Sequence, residues 1–148
     1  MNKYVVTFKK DIVYQARIVK AESSWIAEYF FKEKEPDAEL IGISEDTFNY
    51  EKRGMPVDIV PEDWVLNKKL ELASNGIALD KLVNDESLLV RHAVAKQGYG
   101  LNVLVNDKSA YVRIAVAEQG YGLDVLVNDK DWIVRLLVAQ QGYGLDIL

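Results

Sequence analysis

The chain has 148 residues, 49% hydrophobic and 28% charged, which suits one ordinary domain or two small ones with enough apolar side chain for a core. It contains no cysteine, so disulfides, thiol catalysis and cysteine-ligated zinc or iron–sulfur sites are excluded, and a cytoplasmic location is expected. A net charge of −5 and a pI near 4.9 argue against direct binding to nucleic acid, and no apolar run approaches the roughly 20 residues of a membrane span.

The first elements read as a small β-rich module over residues 1–46. Tyr4, Val6 and Phe8 alternate with Val5, Thr7 and Lys9, and Ile12–Lys20 is rich in β-formers, with a hairpin turn at Lys9-Lys10-Asp11. Ala21–Ser24 offers a helix start, and Trp25, Ile26, Tyr29 and Phe30 fall on one helical face that ends at Pro36. Ala38–Ser44 reads as a third strand, giving a ββαβ order. The stretch KYVVTFKKDIVYQARIVKAESSWIAEYFF resembles the DpnD/PcfM-like small domains of bacterial mobile elements. Acidic residues gather at and after the helix end: Glu33, Glu35, Asp37, Glu39, Glu45 and Asp46. Residues 47–60 are polar, carry Gly54 and Pro56, and read as a linker or irregular loop.

From Pro61 onward the sequence repeats with a step of 22 residues. QGYGL begins at Gln97, Gln119 and Gln141, LVND at Leu82, Leu104 and Leu126, and a worn first copy begins near Pro61. Within one copy, Gly98 and Gly100 make a turn, Leu101–Val105 a short helical turn, and Lys108–Glu118 a helix with Asp107 as its expected N-cap. Asp85 and Arg91, Asp107 and Arg113, and Asp129 and Arg135 keep one spacing, which reads as a structural ladder of carboxylates and guanidinium groups. The pattern LVND-x4-VR-x-AVA-x-QGYGL resembles the leucine-rich repeat variant (LRV), and its Asp–Arg spacing resembles HEAT repeats. That resemblance implies an α+β chain in which the ββαβ module is followed, over 61–148, by a right-handed α-helical solenoid of about four such repeats.

No catalytic, cofactor or metal site is expected. His92 is the only histidine and occupies a variable position inside a repeat, and no nucleophile motif or phosphate loop accompanies it. The variable positions of the repeats instead outline a protein-binding face: Leu89, His92 and Lys96, then Tyr111, Ile114 and Glu118, then Ile133, Leu136 and Leu137, which Trp132 joins through the apolar bulk of the last repeat. The bulk of the last group also leads to an expected homodimer through the C-terminal repeat. The expected function is therefore a non-enzymatic protein–protein interaction scaffold, without membrane or direct nucleic-acid partners. The alternative is a mobile-element or phage-encoded, anti-CRISPR-like inhibitor whose acidic patch blocks the basic surface of a nuclease or other nucleic-acid-binding protein.

Overall fold

The computed structural model describes residues 1–11, 13–46, 55 and 57–144, and the chain divides into two compact units, Met1–Val65 and Leu66–Leu148. In the first unit, strand β1 (Asn2–Lys10) pairs antiparallel with β2 (Val13–Ala21) and, on its other edge, with β3 (Glu39–Glu45). A short β4 (Val57–Ile59) lies parallel to β2, so the sheet order is β3-β1-β2-β4. The alternation along β1 drives Tyr4, Val6 and Phe8 into the core. Helix α1 (Ser24–Lys34) buries Ile26, Ala27, Phe30 and Phe31 among them, with the Phe8 and Phe31 rings 4.7 Å apart. The expected face of that helix is turned slightly, since Phe31 and Ala27 are buried while Trp25 is only partly so.

Helix α2 (Glu62–Ser74) begins just after Pro61, whose carbonyl accepts from Val65 N at 3.0 Å. In the second unit, single turns α3 (Leu79–Leu82), α5 (Leu101–Leu104) and α7 (Leu123–Leu126) alternate with the nine-residue helices α4 (Leu88–Lys96), α6 (Ala110–Glu118) and α8 (Trp132–Gln140). Helix α4 packs on α6, and α6 on α8. The contact is possible because Val90, Val94, Val112, Val116, Val134 and Val138 are fully buried and the adjoining Ala95 and Ala117 are small.

The fold class expected from the sequence, a ββαβ module followed by a right-handed α-helical solenoid of about four LRV/HEAT-like repeats, is corrected here. Among the described residues the chain is a mixed four-stranded sheet with eight short helices. The fourth strand arises within the stretch read as a linker; of that stretch, 47–54 and 56 lie outside the described residues. The three single turns span four residues each and bury one leucine each, Leu82, Leu104 and Leu126, too little to form a second helical layer. A sequence period establishes which residues are equivalent; it sets neither layering nor handedness.

One equivalence has a measurable consequence. The residue opening each single turn is left-handed: Gly100 and Gly122 at φ 64°, but Ala78 at φ 56°. A side chain there costs about 1–2 kcal/mol, partly offset by the greater freedom glycine loses on folding. Ala78→Gly is expected to raise stability by roughly 0.5–1 kcal/mol, read as a higher urea midpoint at unchanged m. A lower midpoint would show that the alanine is not strained.

Candidate functional site: an apolar ridge on three packed helices

The ridge rests on a ladder of buried ion pairs. Lys69 Nζ lies 2.7 Å from Asp85 Oδ2, Arg91 Nε 2.7 Å from Asp107 Oδ2, and Arg113 Nε 2.6 Å from Asp129 Oδ2, with every one of these side chains buried. Each arginine donates through Nη2 to the other oxygen of the same carboxylate and turns Nη1 to the chain before it. Arg91 Nη1 donates to the carbonyls of Asp85 and Glu86, and Arg113 Nη1 to that of Asp107. The aspartates also accept from amides two residues on, Ser87, Ser109 and Asp131, and so shape the approach to each long helix. The cap residue itself is Ser87, Ser109 or Asp131, and of these only Asp131 closes a side-chain bond, from Ile133 N at 2.8 Å.

With one side of each long helix committed to packing, the other faces solvent. Leu89, Tyr111, Trp132, Ile133 and Leu136 are between 40% and 64% exposed, although all are large and apolar or aromatic. His92, Ile114 and Leu137 are half-buried beside them, and Lys96 and Glu118 are exposed. The structure joins several of these residues across α4 and α6. The His92 and Tyr111 rings stack at 4.1 Å with 13° between their planes, and Lys96 Nζ meets Glu118 Oε2 at 2.9 Å. Burial, reinforced by the charge of Lys96 and opposed by Glu118, holds His92 below its usual range, so it is neutral at pH 7. A neutral ring stacked on tyrosine extends an apolar surface; it has no nucleophile or carboxylate hydrogen-bonded to it among the described residues.

The acidic residues of the first unit are less uniform than their spacing suggests. Glu33, Asp37, Glu39 and Glu45 are exposed, and Asp46 is half-buried. Glu35 is bound by Lys10 at 2.8 Å and Arg17 at 3.0 Å, and the Lys10 hydrogen bond is the main cause of its lowered pKa. Glu33 accepts from Trp64 Nε1 at 3.3 Å. Among the described residues no group of three potential ligands is placed to hold a metal ion, and no helix is long and apolar enough to cross a membrane.

Reasoning from variable positions overlooked exposed residues that stay constant. Val103 and Val125 are exposed on successive single turns, and Tyr99, Tyr121 and Tyr143 on successive glycine turns. Asn84, Asn106 and Asn128 are exposed as well. Their recurrence in the sequence was the available signal. Comparison with family models, with characterised proteins and with solved structures yields no match to this chain.

Proposed function

We propose that this is a non-enzymatic binding protein that engages another protein through the ridge of α4, α6 and α8. The observation that carries the reading is the run of Leu89, Tyr111, Ile133, Leu136 and Trp132, all substantially exposed on helices that pack consecutively. Scattered surface leucines need no explanation, but large apolar groups aligned over three adjoining helices are the usual mark of an interaction surface. The rings suit a hot spot, because tyrosine and tryptophan offer wide contact area at small entropic cost. Lys96 and Glu118 already neutralise each other, so the ridge selects by shape and apolar contact more than by charge. The lack of cysteine supports a reducing, cytoplasmic setting.

The alternative, an acidic inhibitor of a nucleic-acid-binding enzyme, draws less support from the geometry. Among the described residues Glu35 is engaged by two cations and Glu33 by an indole, which leaves Asp37, Glu39 and Glu45 as the exposed acids of that group without such a bond.

A photo-crosslinking amino acid at position 111 or 133 tests the leading reading in the native host. Both positions are expected to capture the same protein, while position 41, an exposed isoleucine on β3, captures none of it. With that protein purified, Trp132→Ala or Tyr111→Ser is expected to weaken binding about tenfold or more, with stability changed by about 0.5 kcal/mol or less. Capture of a second copy of this chain would identify the partner as itself. Affinity untouched in the Tyr111→Ser, Trp132→Ala double variant would remove the ridge from consideration.

A further inference from the structure

Another face of the second unit carries polar groups that its own packing does not use. Two open clefts, of about 330 Å³ and about 310 Å³, share Asn106, Asp107 and Lys108 and therefore adjoin. Asn84 lines the first, and Asn128 and Lys130 line the second. The three asparagines recur at the repeat step, yet none has the positive φ that would favour asparagine over other residues. Among the described residues their side-chain amides make no hydrogen bond within the protein. Fold and backbone thus give no reason for asparagine at these three places.

The charges around them are unevenly spent. Asp85, Asp107 and Asp129 are each paired to a buried cation. Among the described residues Lys108 and Lys130 feel the fields of Asp107 and Asp129 but form no ion pair of their own, while Glu86, at the equivalent place in the first cleft, leaves an exposed carboxylate there. The adjoining clefts therefore offer amide groups, each both donor and acceptor, and ammonium donors, beside the exposed methyl groups of Val103 and Val125. An extended peptide matches this set. Its main chain presents a donor and an acceptor to a carboxamide, and it advances about 3.3 Å per residue, so turn residues that step with long helices packed roughly 10 Å apart meet about every third residue. The ammonium groups of Lys108 and Lys130 select carboxylates at two of the three steps, and Glu86 disfavours one at the first.

We propose that the adjoining clefts bind an extended acidic segment of another protein, with Asn84, Asn106 and Asn128 pairing to its main chain and Lys108 and Lys130 to its carboxylates. This site is separate from the ridge and stands whether or not the ridge has a partner.

The test selects a displayed library of random peptides, about nine residues long, against the whole chain and synthesises the enriched sequences with a fluorescent label. The enriched peptides are expected to carry Asp or Glu about three residues apart and to bind less well as salt rises. Asn106→Ala and Lys108→Gln are each expected to weaken them about tenfold, while Lys108→Arg retains most of the binding. Among the described residues neither side chain is bonded within the protein, so the thermal midpoint of both variants should match that of the parent. Tyr111→Ser, on the ridge, should leave peptide binding unchanged. Four results would each overturn the proposal: no enrichment of acidic sequences, binding insensitive to both cleft variants, loss of binding in Tyr111→Ser, or displacement of the peptide by a single-stranded oligonucleotide at lower concentration than by unlabelled peptide.

Discussion

Arg113→Ala is expected to destabilise the protein by about 3–5 kcal/mol, because it leaves the Asp129 carboxylate buried without its counter-charge. Arg113 holds both oxygens of that carboxylate, Nε to Oδ2 at 2.6 Å and Nη2 to Oδ1 at 2.9 Å, and both side chains are nearly inaccessible. The exposed Lys96–Glu118 pair makes a useful contrast: it has similar length, yet its removal should cost about 1 kcal/mol or less. Burial, rather than distance, separates the two.

The same pair determines how stability responds to acid. Burial alone would push the Asp129 carboxyl up. The Arg113 hydrogen bond, the Asp131 amide and the charges of Arg113 and Lys130 together outweigh burial and hold it below the usual range. Asp107 is balanced in the same way by burial against Arg91 and the Ser109 amide. A carboxyl lowered on folding contributes its full stability above its unfolded pKa, near 3.9, and loses it as pH falls through the folded value. The parent should therefore lose stability below about pH 4. In Arg113→Ala the main force lowering Asp129 is gone and burial remains, so protonation relieves the variant. Its deficit in urea unfolding should shrink between about pH 7 and about pH 3. A deficit under about 1 kcal/mol at neutral pH, or one that widens in acid, would mean that the ladder contributes little to stability.

Much of this arrangement was legible in the sequence, and the reasons are local. Alternation at Tyr4, Val6 and Phe8 reports a strand with one buried face, and nine consecutive pairs join β1 to β2, with Lys9 and Lys10, expected in the turn, paired within the ladder instead. The constant spacing of aspartate and arginine reported bonds that do form, because both ends lie within a few residues of a helix start whose geometry recurs. β4 was not legible. Three residues are too few to show alternation, and its pairing with Ile18, Val19 and Lys20 is parallel, joining segments far apart in the chain. Neither was the layering of the second unit, since a four-residue turn and the start of a longer helix look alike as a pair of apolar residues.

The candidate surfaces divide along similar lines. Variable positions led to the ridge, and the exposed Leu89, Tyr111 and Trp132 lie there. Variation is informative when a surface is compared between copies, but it is blind to a function that every copy shares. Asn84, Asn106 and Asn128 were hidden among residues constant for structural reasons, such as Leu82, Leu104 and Leu126, which are buried. Only accessibility and hydrogen bonding distinguish a constant residue held by the core from one the core leaves unused.

The Gly120-Tyr121-Gly122 turn allows backbone strain and packing to be measured apart. Both glycines are left-handed, at φ 70° and 64°. A Cβ on Gly120 would find only Gln141 Oε1 at 3.8 Å, an ordinary contact, whereas one on Gly122 would overlap Val105 Cγ2. Gly120→Ala should thus carry the left-handed penalty alone, about 1–2 kcal/mol. Gly122→Ala should add about 1–3 kcal/mol of overpacking, for a total of about 2–5 kcal/mol. Val105 is itself buried and leads into the turn at Asp107 that receives Arg91, so it cannot retreat without disturbing that ion pair. The clash should therefore appear as coupling. Val105→Ala is expected to be costly in the parent but about 1–3 kcal/mol less so in the Gly122→Ala background, and to show no such relief with Gly120→Ala. Equal losses in Gly120→Ala and Gly122→Ala would show that the valine yields freely. The second glycine of each turn would then be needed for its backbone angle alone.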